Sequence, residues 1–97
     1  MRRHRETARL KTMVEAGARI SWEIPHAKRR AAERDVPIFV AERIVRAGVV
    51  TDLSVEADGH ERWRVSGRDP DGRPVDVVVT PVGGDVLRVI TVIRTDE

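Results

Sequence analysis

The sequence predicts an α+β domain in which an N-terminal helix, a first strand and two further helices precede a four-stranded antiparallel meander. Residues 49–94 contain four apolar segments separated by Asp-Gly, Asp-Pro-Asp-Gly and Gly-Gly-Asp turns, which are typical of tight hairpins. The preceding part contains apolar residues at helical spacing. The whole chain of 97 residues suits a single domain. We expect its helices to pack on one face of a twisted sheet.

The first predicted helix covers residues 5–16. Leu10, Met13, Val14 and Gly17 follow the i, i+3, i+4, i+7 spacing of a narrow apolar stripe, and Gly17 suits the C-cap. Because the stripe is narrow, we expect residues 1–18 to form a helical extension that lies on the domain.

Residues 19–24 are predicted to form the first strand, within a region of one strand and two helices that spans 19–48. Ile20, Trp22 and Ile24 alternate with other residues and so share one side. The following proline ends the strand.

The second predicted helix runs from Pro25 to about Arg34, since proline suits the first position of a helix. Ala27 and Ala31 fall together on the helical wheel and permit close approach to a sheet. A neighbouring strip is charged and carries a histidine. It consists of His26, Arg29, Arg30 and Glu33, with Arg34 beside it. Such a strip is either a solvated face with an i, i+4 pair or part of a site.

The third predicted helix follows Pro37 and ends near Gly48, and its buried side is apolar. That side consists of Val40, Ala41, Ile44, Val45 and Ala47. Phe39 projects onto the polar side, where it either covers the junction between the helices or belongs to a partner-binding patch.

The meander, residues 49–97, contains one strand with an unusual charge pattern. Alternation along residues 60–69 puts Trp63 and Val65 on the core face. The opposite face carries His60, Arg62, Arg64, Ser66 and Arg68. This row is either a solvated outer face or a surface that faces phosphate.

Composition narrows the possible partners. The chain has no cysteine and no apolar run of transmembrane length, so we expect a soluble cytoplasmic protein without disulfides.

The charge is distributed unevenly along the chain. Residues 1–49 hold 12 Lys+Arg against 6 Asp+Glu, and residues 50–97 hold 6 against 10. Only Lys11 and Lys28 are lysine. Arginine matches phosphate and carboxylate groups, which favours RNA or an acidic protein as partner. With three aromatic residues, RNA contacts would depend on charge more than on base stacking.

The order of elements and several short motifs resemble the small bacterial toxins of the RelE/ParE superfamily. The similar segments are RLKTMVEAG, ISWEIPHAKRRAAERDVP, VAERIVRAGVV, WRVSGRDPDGRPVDVVV and LRVITVIR. They are similar to an uncharacterised domain group with the pattern His-Ala-x-x-Arg, x-x-Glu-Arg, Gly-x-Asp-x-x-Gly-Arg and Val-Ile-Thr-Val. The N-terminal helix resembles that of the MqsR-type mRNA interferases, and Glu61-Arg62-Trp63 with the Gly-Arg turn resembles BrnT-type toxins.

The resemblance maps onto individual residues. His26, Ala27 and Arg30 occupy the His-Ala-x-x-Arg pattern, followed by Glu33 and Arg34. The turn motif is matched by Gly67, Asp69, Gly72 and Arg73, where a structural role is expected. The MqsR-like catalytic set includes Lys and Tyr, whereas this chain has no Tyr and no Lys after position 28; Arg64 and Arg94 occupy the corresponding strand positions.

The resemblance implies a type II toxin, a metal-independent endoribonuclease that a cognate antitoxin, in some relatives a zinc-finger protein, holds inactive. Such a nuclease needs groups that move protons and cations that stabilise the phosphorane-like transition state. Arginine retains its proton near pH 7, so proton transfer is assigned to His26, with His60 and Glu61 as alternatives. The expected charge clamp is Arg62, Arg64 and Arg94, and the expected RNA-binding residues are Arg29, Arg30, Arg34, Arg68 and Arg88.

No cofactor or metal site is expected, because His4, His26 and His60 lie in separate segments without the spacing of a metal motif. The alternative function is a non-catalytic, degenerate toxin-like module. It would bind an acidic protein through the same arginine-rich face.

Overall fold

The computed structural model describes residues 2–95 and confirms the predicted α+β class. The helices are α1 (His4–Glu15), α2 (Pro25–Glu33) and α3 (Ile38–Ala47). The strands are β1 (Arg19–Ser21), β2 (Val49–Val55), β3 (Glu61–Arg68), β4 (Pro74–Val82) and β5 (Val86–Arg94). The predicted C-terminal boundary of the meander includes residues 96 and 97, which lie outside the described residues.

The strands form one sheet in the order β1-β5-β4-β3-β2. The meander pairs antiparallel as predicted, and β1 joins its far edge parallel to β5, with Arg19 opposite Val86. β1 is shorter than predicted and ends at Ser21. The chain leaves the sheet there, because the indole Nε1 of Trp22 donates a hydrogen bond of 2.9 Å to Glu42 on α3.

The helices cover one face of the sheet and enclose the core. Trp63 on β3 is the largest fully buried side chain. It packs in one cluster with apolar residues of the helices and strands. Further members of this cluster are Leu10, Ala27, Ala31, Val40, Val45, Val65, Val75, Val77, Val79, Leu87, Val89 and Val92. The other side of the sheet has no helix over it among residues 2–95, and we refer to it as the open face.

A bulge interrupts the pairing of β4 with β5. Val78 pairs with Thr91, whereas the next residue, Val79, pairs with Val89. Ile90 is therefore the extra residue on β5.

The bulge reverses the alternation of side chains along β5. Val89 is fully buried before the bulge and Val92 after it, although their positions differ in parity. Arg94 therefore lies on the same side as Val92, facing the helices, while Arg88 lies on the open face.

Two glycines allow α3 to pack very close to β3. A Cβ atom at Gly48 would lie 2.5 Å from the carbonyl oxygen of Ile44 and 2.8 Å from that of Ser66. A Cβ atom at Gly67 would lie 3.0 Å from a methyl carbon of Ile44. The helix and the strand thus approach each other at positions that have no side chain.

α1 lies against the outer edge of β2. The backbone N–H of Arg3 donates to the carbonyl oxygen of Val50 at 2.7 Å, and the N–H of Val50 donates to the hydroxyl of Thr7 at 3.0 Å. Leu10 and Met13 are buried beneath the helix. Within residues 2–95, none of the helices has the length and apolar character needed to cross a membrane.

Candidate functional site

The open face carries arginines from two strands, and each is paired with a carboxylate of the same chain. Arg62 Nε lies 3.2 Å from Glu56, and Arg88 lies 2.7 Å from Glu23. The third pair joins Arg64 on β3 to the buried Asp76 on β4. The sequence predicted a row of cations; in the structure their charge is locally balanced.

A hollow on the open face lies beside the β2–β3 hairpin and has a volume of about 480 Å³. We call it the hairpin hollow. It is lined by Ile24, Glu56, Ala57, Asp58, His60, Arg62, Thr80, Arg88 and Ile90. It therefore brings an imidazole, carboxylates and two guanidinium groups together.

The hairpin turn fixes the position of the imidazole and one carboxylate. The N–H of Glu56 donates to the carbonyl oxygen of His60 at 2.9 Å, and Gly59 adopts a φ of 87° in the turn. The N–H of His60 also donates to the carboxylate of Asp58 at 3.0 Å. Glu56 and His60 are thus held side by side just beyond the ends of β2 and β3, and both line the hollow.

Arg88 contributes an unsatisfied donor to the hairpin hollow. Its Nε is buried and has no hydrogen-bond acceptor among residues 2–95. A buried N–H without an acceptor is costly. Because this atom is buried, an anion in the hollow supplies the missing acceptor only if the Arg88 side chain shifts to expose it.

His26 does not line the hairpin hollow. Its Nε2 lies 3.3 Å from Arg30 Nε and its Nδ1 lies 3.4 Å from Arg29. A neutral imidazole has a single acceptor nitrogen, so His26 can accept from one of these arginines at a time. Arg30 also lies 3.6 Å from Glu33, and these contacts join neighbouring residues of α2.

Arg94, the third member of the predicted charge clamp, lies on the opposite face from Arg62. Its Nη1 is 2.9 Å from Asp69, and both side chains are less than a tenth exposed. Its remaining nitrogens donate to the backbone carbonyls of Arg34 at 2.6 Å and Asp35 at 3.1 Å. These contacts join the end of α2 to the β3–β4 turn, on the face away from Arg62.

The other predicted positions are distributed around the molecule. Arg68 donates to the carbonyl oxygen of Gly72 at 2.7 Å and so closes the β3–β4 turn. Phe39 is 70% exposed and does not cover the helix junction. Its prediction as a partner-binding residue stays open.

Glu61, an alternative proton acceptor in the sequence analysis, lies on the helix-covered face. A hydrogen bond from Trp63 Nε1, together with hydrogen bonds from Arg9, lowers the pKa of Glu61. The carboxylate therefore stays ionised to lower pH than usual and is held away from the hairpin hollow.

His60 is an alternative to His26 in the prediction from sequence, and Glu56 is absent from that prediction. The signal for both is the hairpin register. Val55 pairs with Glu61, so the residues just inside the turn are Glu56 and His60. Alternation had also placed His60 and Arg62 on one face, as the hollow requires.

Metal ligands are not assembled in the described part of the chain: no three His, Cys, Asp or Glu side chains within residues 2–95 converge on a common point. Comparison with curated proteins and with solved structures finds no match. Residues 25–94 match the family model described as "Domain of unknown function (DUF4258)". This region runs from the first residue of α2 to the last residue of β5 and contains every charged residue of the hairpin hollow. Because the match spans more than two thirds of the chain, the protein belongs to the DUF4258 family.

Proposed function

We propose that the protein is a metal-independent endoribonuclease whose active site is the hairpin hollow. One observation carries the proposal: Glu56, His60, Arg62 and Arg88 line a single hollow of about 480 Å³. These are the residue types that cleavage of RNA by its own 2′-hydroxyl requires, namely a base, an acid and cations. His60 replaces His26 as the residue assigned to proton transfer.

In the proposed reaction Glu56 takes the proton of the 2′-hydroxyl, whose oxygen attacks the adjacent phosphorus. The bond from phosphorus to the 5′ oxygen breaks, and the His60 imidazolium donates a proton to that oxygen. The products are a 2′,3′-cyclic phosphate and a 5′-hydroxyl. Glu56 has gained one proton and His60 has lost one, so the protons balance. Arg62 and Arg88 contact the non-bridging oxygens, where negative charge increases in the transition state.

The ion pairs of the hairpin hollow fit this sequence of steps. Arg62 lies 3.2 Å from Glu56, and a phosphate bound by Arg62 competes with that carboxylate. When the phosphate displaces the Glu56 carboxylate from Arg62, Glu56 becomes free to accept a proton. The buried Nε of Arg88, which lacks an acceptor among residues 2–95, gains one from the phosphate once the side chain shifts to expose it.

The biological setting follows from the resemblance to RelE/ParE toxins. We propose that the enzyme cleaves cytoplasmic mRNA as the toxin of a type II toxin-antitoxin system and that a cognate antitoxin inhibits it. Induced expression should then arrest growth.

The test is cleavage of end-labelled RNA by the purified protein in the presence of EDTA, with identification of the product ends. His60→Ala and Glu56→Gln should each lower the rate by about 100-fold or more, as expected for loss of general acid–base catalysis. His26→Ala is the matched control on another surface and should retain most of the activity. Wild-type protein that leaves both free and ribosome-bound RNA intact would refute the proposal.

The alternative is a non-catalytic module that binds an acidic protein partner. The charge of the hairpin hollow favours a non-catalytic role: two carboxylates and two guanidinium groups line it, so with His60 neutral it has no excess of cations to attract the RNA backbone. The alternative predicts a stoichiometric protein complex that Arg62→Ala weakens, without growth arrest. RNA cleavage that depends on His60 would exclude it.

A further inference from the structure

A second hollow of about 440 Å³ lies on the other side of the β2–β3 hairpin, at the start of α1. We call it the N-terminal hollow. It is lined by Arg2, Arg3, His4, Arg5, Glu6, Arg9, Leu53 and Glu61. None of these residues was assigned a binding role from the sequence, and those of α1 precede the region that matches the family.

The N-terminal hollow has a different charge balance from the hairpin hollow. Four arginines face two carboxylates, which leaves a net charge of +2 with histidine neutral. The hairpin hollow has two of each. A polyanion is therefore attracted first to the N-terminal hollow.

The two carboxylates of the N-terminal hollow are already engaged. Glu6 lies 2.7 Å from Arg3 and is almost fully buried, and Glu61 accepts two hydrogen bonds from Arg9, at 3.1 and 3.0 Å. Arg9 also lies over the ring of Trp63, with its guanidinium carbon 5.0 Å from the ring centroid.

The remaining cations, by contrast, are available to a ligand. Arg2, His4 and Arg5 are exposed, and their side chains make no hydrogen bond within residues 2–95. All three residues line the hollow.

These cations do not stabilise the helix on which they lie. α1 has no side-chain N-cap, and Glu6 is the single acidic residue of its first turn. Positive charge at a helix N-terminus opposes the helix dipole. The segment is nevertheless held in place, because Arg3 and Thr7 hydrogen-bond to the backbone of Val50 on β2. A preformed surface that presents unpaired cations is the arrangement that binds phosphates.

We propose that the N-terminal hollow binds the phosphodiester backbone of single-stranded RNA next to the segment that enters the hairpin hollow. This inference extends the proposed function to a second part of the same substrate. Both hollows adjoin the β2–β3 hairpin, since Glu61 lines one and the next residue, Arg62, lines the other. A strand that passes around the end of this hairpin contacts both.

The experiment measures binding separately from cleavage. The probe is a fluorescent 2′-O-methyl RNA oligonucleotide, which has phosphates but no 2′-hydroxyl and so cannot be cut. Anisotropy titrations over a range of salt concentrations give the affinity and its salt dependence. The test variant is Arg2→Ala/Arg5→Ala, and the control variant Arg19→Ala/Arg43→Ala removes the same charge from exposed side chains outside both hollows.

We expect the test variant to bind at least tenfold more weakly and to reduce the slope of log K against log salt by about 1.4, which corresponds to two phosphate contacts on a single strand. The control variant should match wild type within about twofold. Equal effects of the two variants, no effect of the test variant, or no binding by wild type would each overturn the inference. If the test variant loses binding but the wild-type protein cleaves no RNA, the binding site is supported and the nuclease is refuted. If cleavage depends on His60 but the test variant binds as well as wild type, the nuclease is supported and this binding site is refuted.

Discussion

The close packing of α3 on β3 leads to a quantitative prediction for Gly48→Ala. The added Cβ would lie 2.5 Å from the Ile44 oxygen, 2.7 Å from Val65 Cγ1 and 2.8 Å from the Ser66 oxygen. Two of these atoms belong to the backbone, and the Ile44 oxygen already accepts the N–H of Gly48 at 2.7 Å. Side-chain rotation cannot relieve the two backbone contacts, so the last turn of α3 must distort and also move away from β3.

The size of the effect follows from the distances. Real Cβ contacts essentially never fall below 3.0 Å, so the two contacts with β3, at 2.7 and 2.8 Å, require a shift of about 0.2–0.3 Å between α3 and β3. The 2.5 Å contact with the Ile44 oxygen lies within α3 and requires a distortion of its last turn as well. Overpacking of this kind costs about 1–3 kcal/mol, and three contacts at once place it at the upper end. Replacing glycine restricts the unfolded chain and returns about 0.4–1 kcal/mol. We expect a net loss of about 2 kcal/mol, or about 8–16 °C in Tm for a domain of this size.

Urea unfolding followed by circular dichroism measures this loss. Gly67→Ala is the matched control, because its Cβ would meet the side chain of Ile44 at 3.0 Å and no backbone atom. Ile44 can adjust its rotamer, so the control should lose less than about 1 kcal/mol. If the free energy of unfolding of Gly48→Ala is within about 0.5 kcal/mol of the wild-type value, the reasoning from close packing is refuted.

Four further predictions concern stability and the exposed surface. The backbone N–H of Arg73, together with the Arg94 guanidinium, holds the pKa of Asp69 below its usual value. The ionised carboxylate therefore stabilises the fold at pH values above the pKa that Asp69 has in the unfolded chain. This stabilisation is lost as the pH falls through the lower pKa of the folded protein. Asp69→Asn should therefore flatten the acid limb of a plot of urea midpoint against pH, and an unchanged acid limb would contradict this. Arg94→Lys should lower the urea midpoint, because one ammonium group cannot reach Asp69 and the two backbone carbonyls together. Leu87→Ala, at a fully buried position, should cost about 2–5 kcal/mol in the same titration. Phe39→Ala should change the free energy of unfolding by less than about 0.5 kcal/mol, because the ring is 70% exposed, while weakening any partner complex measured by calorimetry.

Periodicity and turn chemistry predicted the helices and the meander because those signals are local. Asp58-Gly59 and Gly83-Gly84 lie at the predicted hairpins, and Pro25 begins α2 as expected. The end of β1 was not predicted, because it depends on the hydrogen bond between Trp22 and Glu42 across the fold.

The predicted site failed to assemble in full for a similar reason. Arg88 and Arg94 have the same parity, so simple alternation places them on one face. The bulge at Ile90 reverses the alternation between them, and a bulge is set by pairing with β4 and by the packing of Val89 and Val92 more than by a local motif. The grouping of His60 with Arg62 followed from alternation alone, whereas the contribution of Glu56 required the hairpin register.

The strand order also constrains how the protein forms during translation. β5 lies between β1 and β4 and provides the main packing surface of α2, yet it is synthesised after all of them. Until residues 86–94 leave the ribosome, β1 has no neighbouring strand and the alanine strip of α2 has no sheet to cover. Arg88, an essential group of the proposed active site, arrives with the same segment. A nascent chain of this protein is therefore expected to stay incompletely folded, with its proposed active site incomplete, until β5 has emerged.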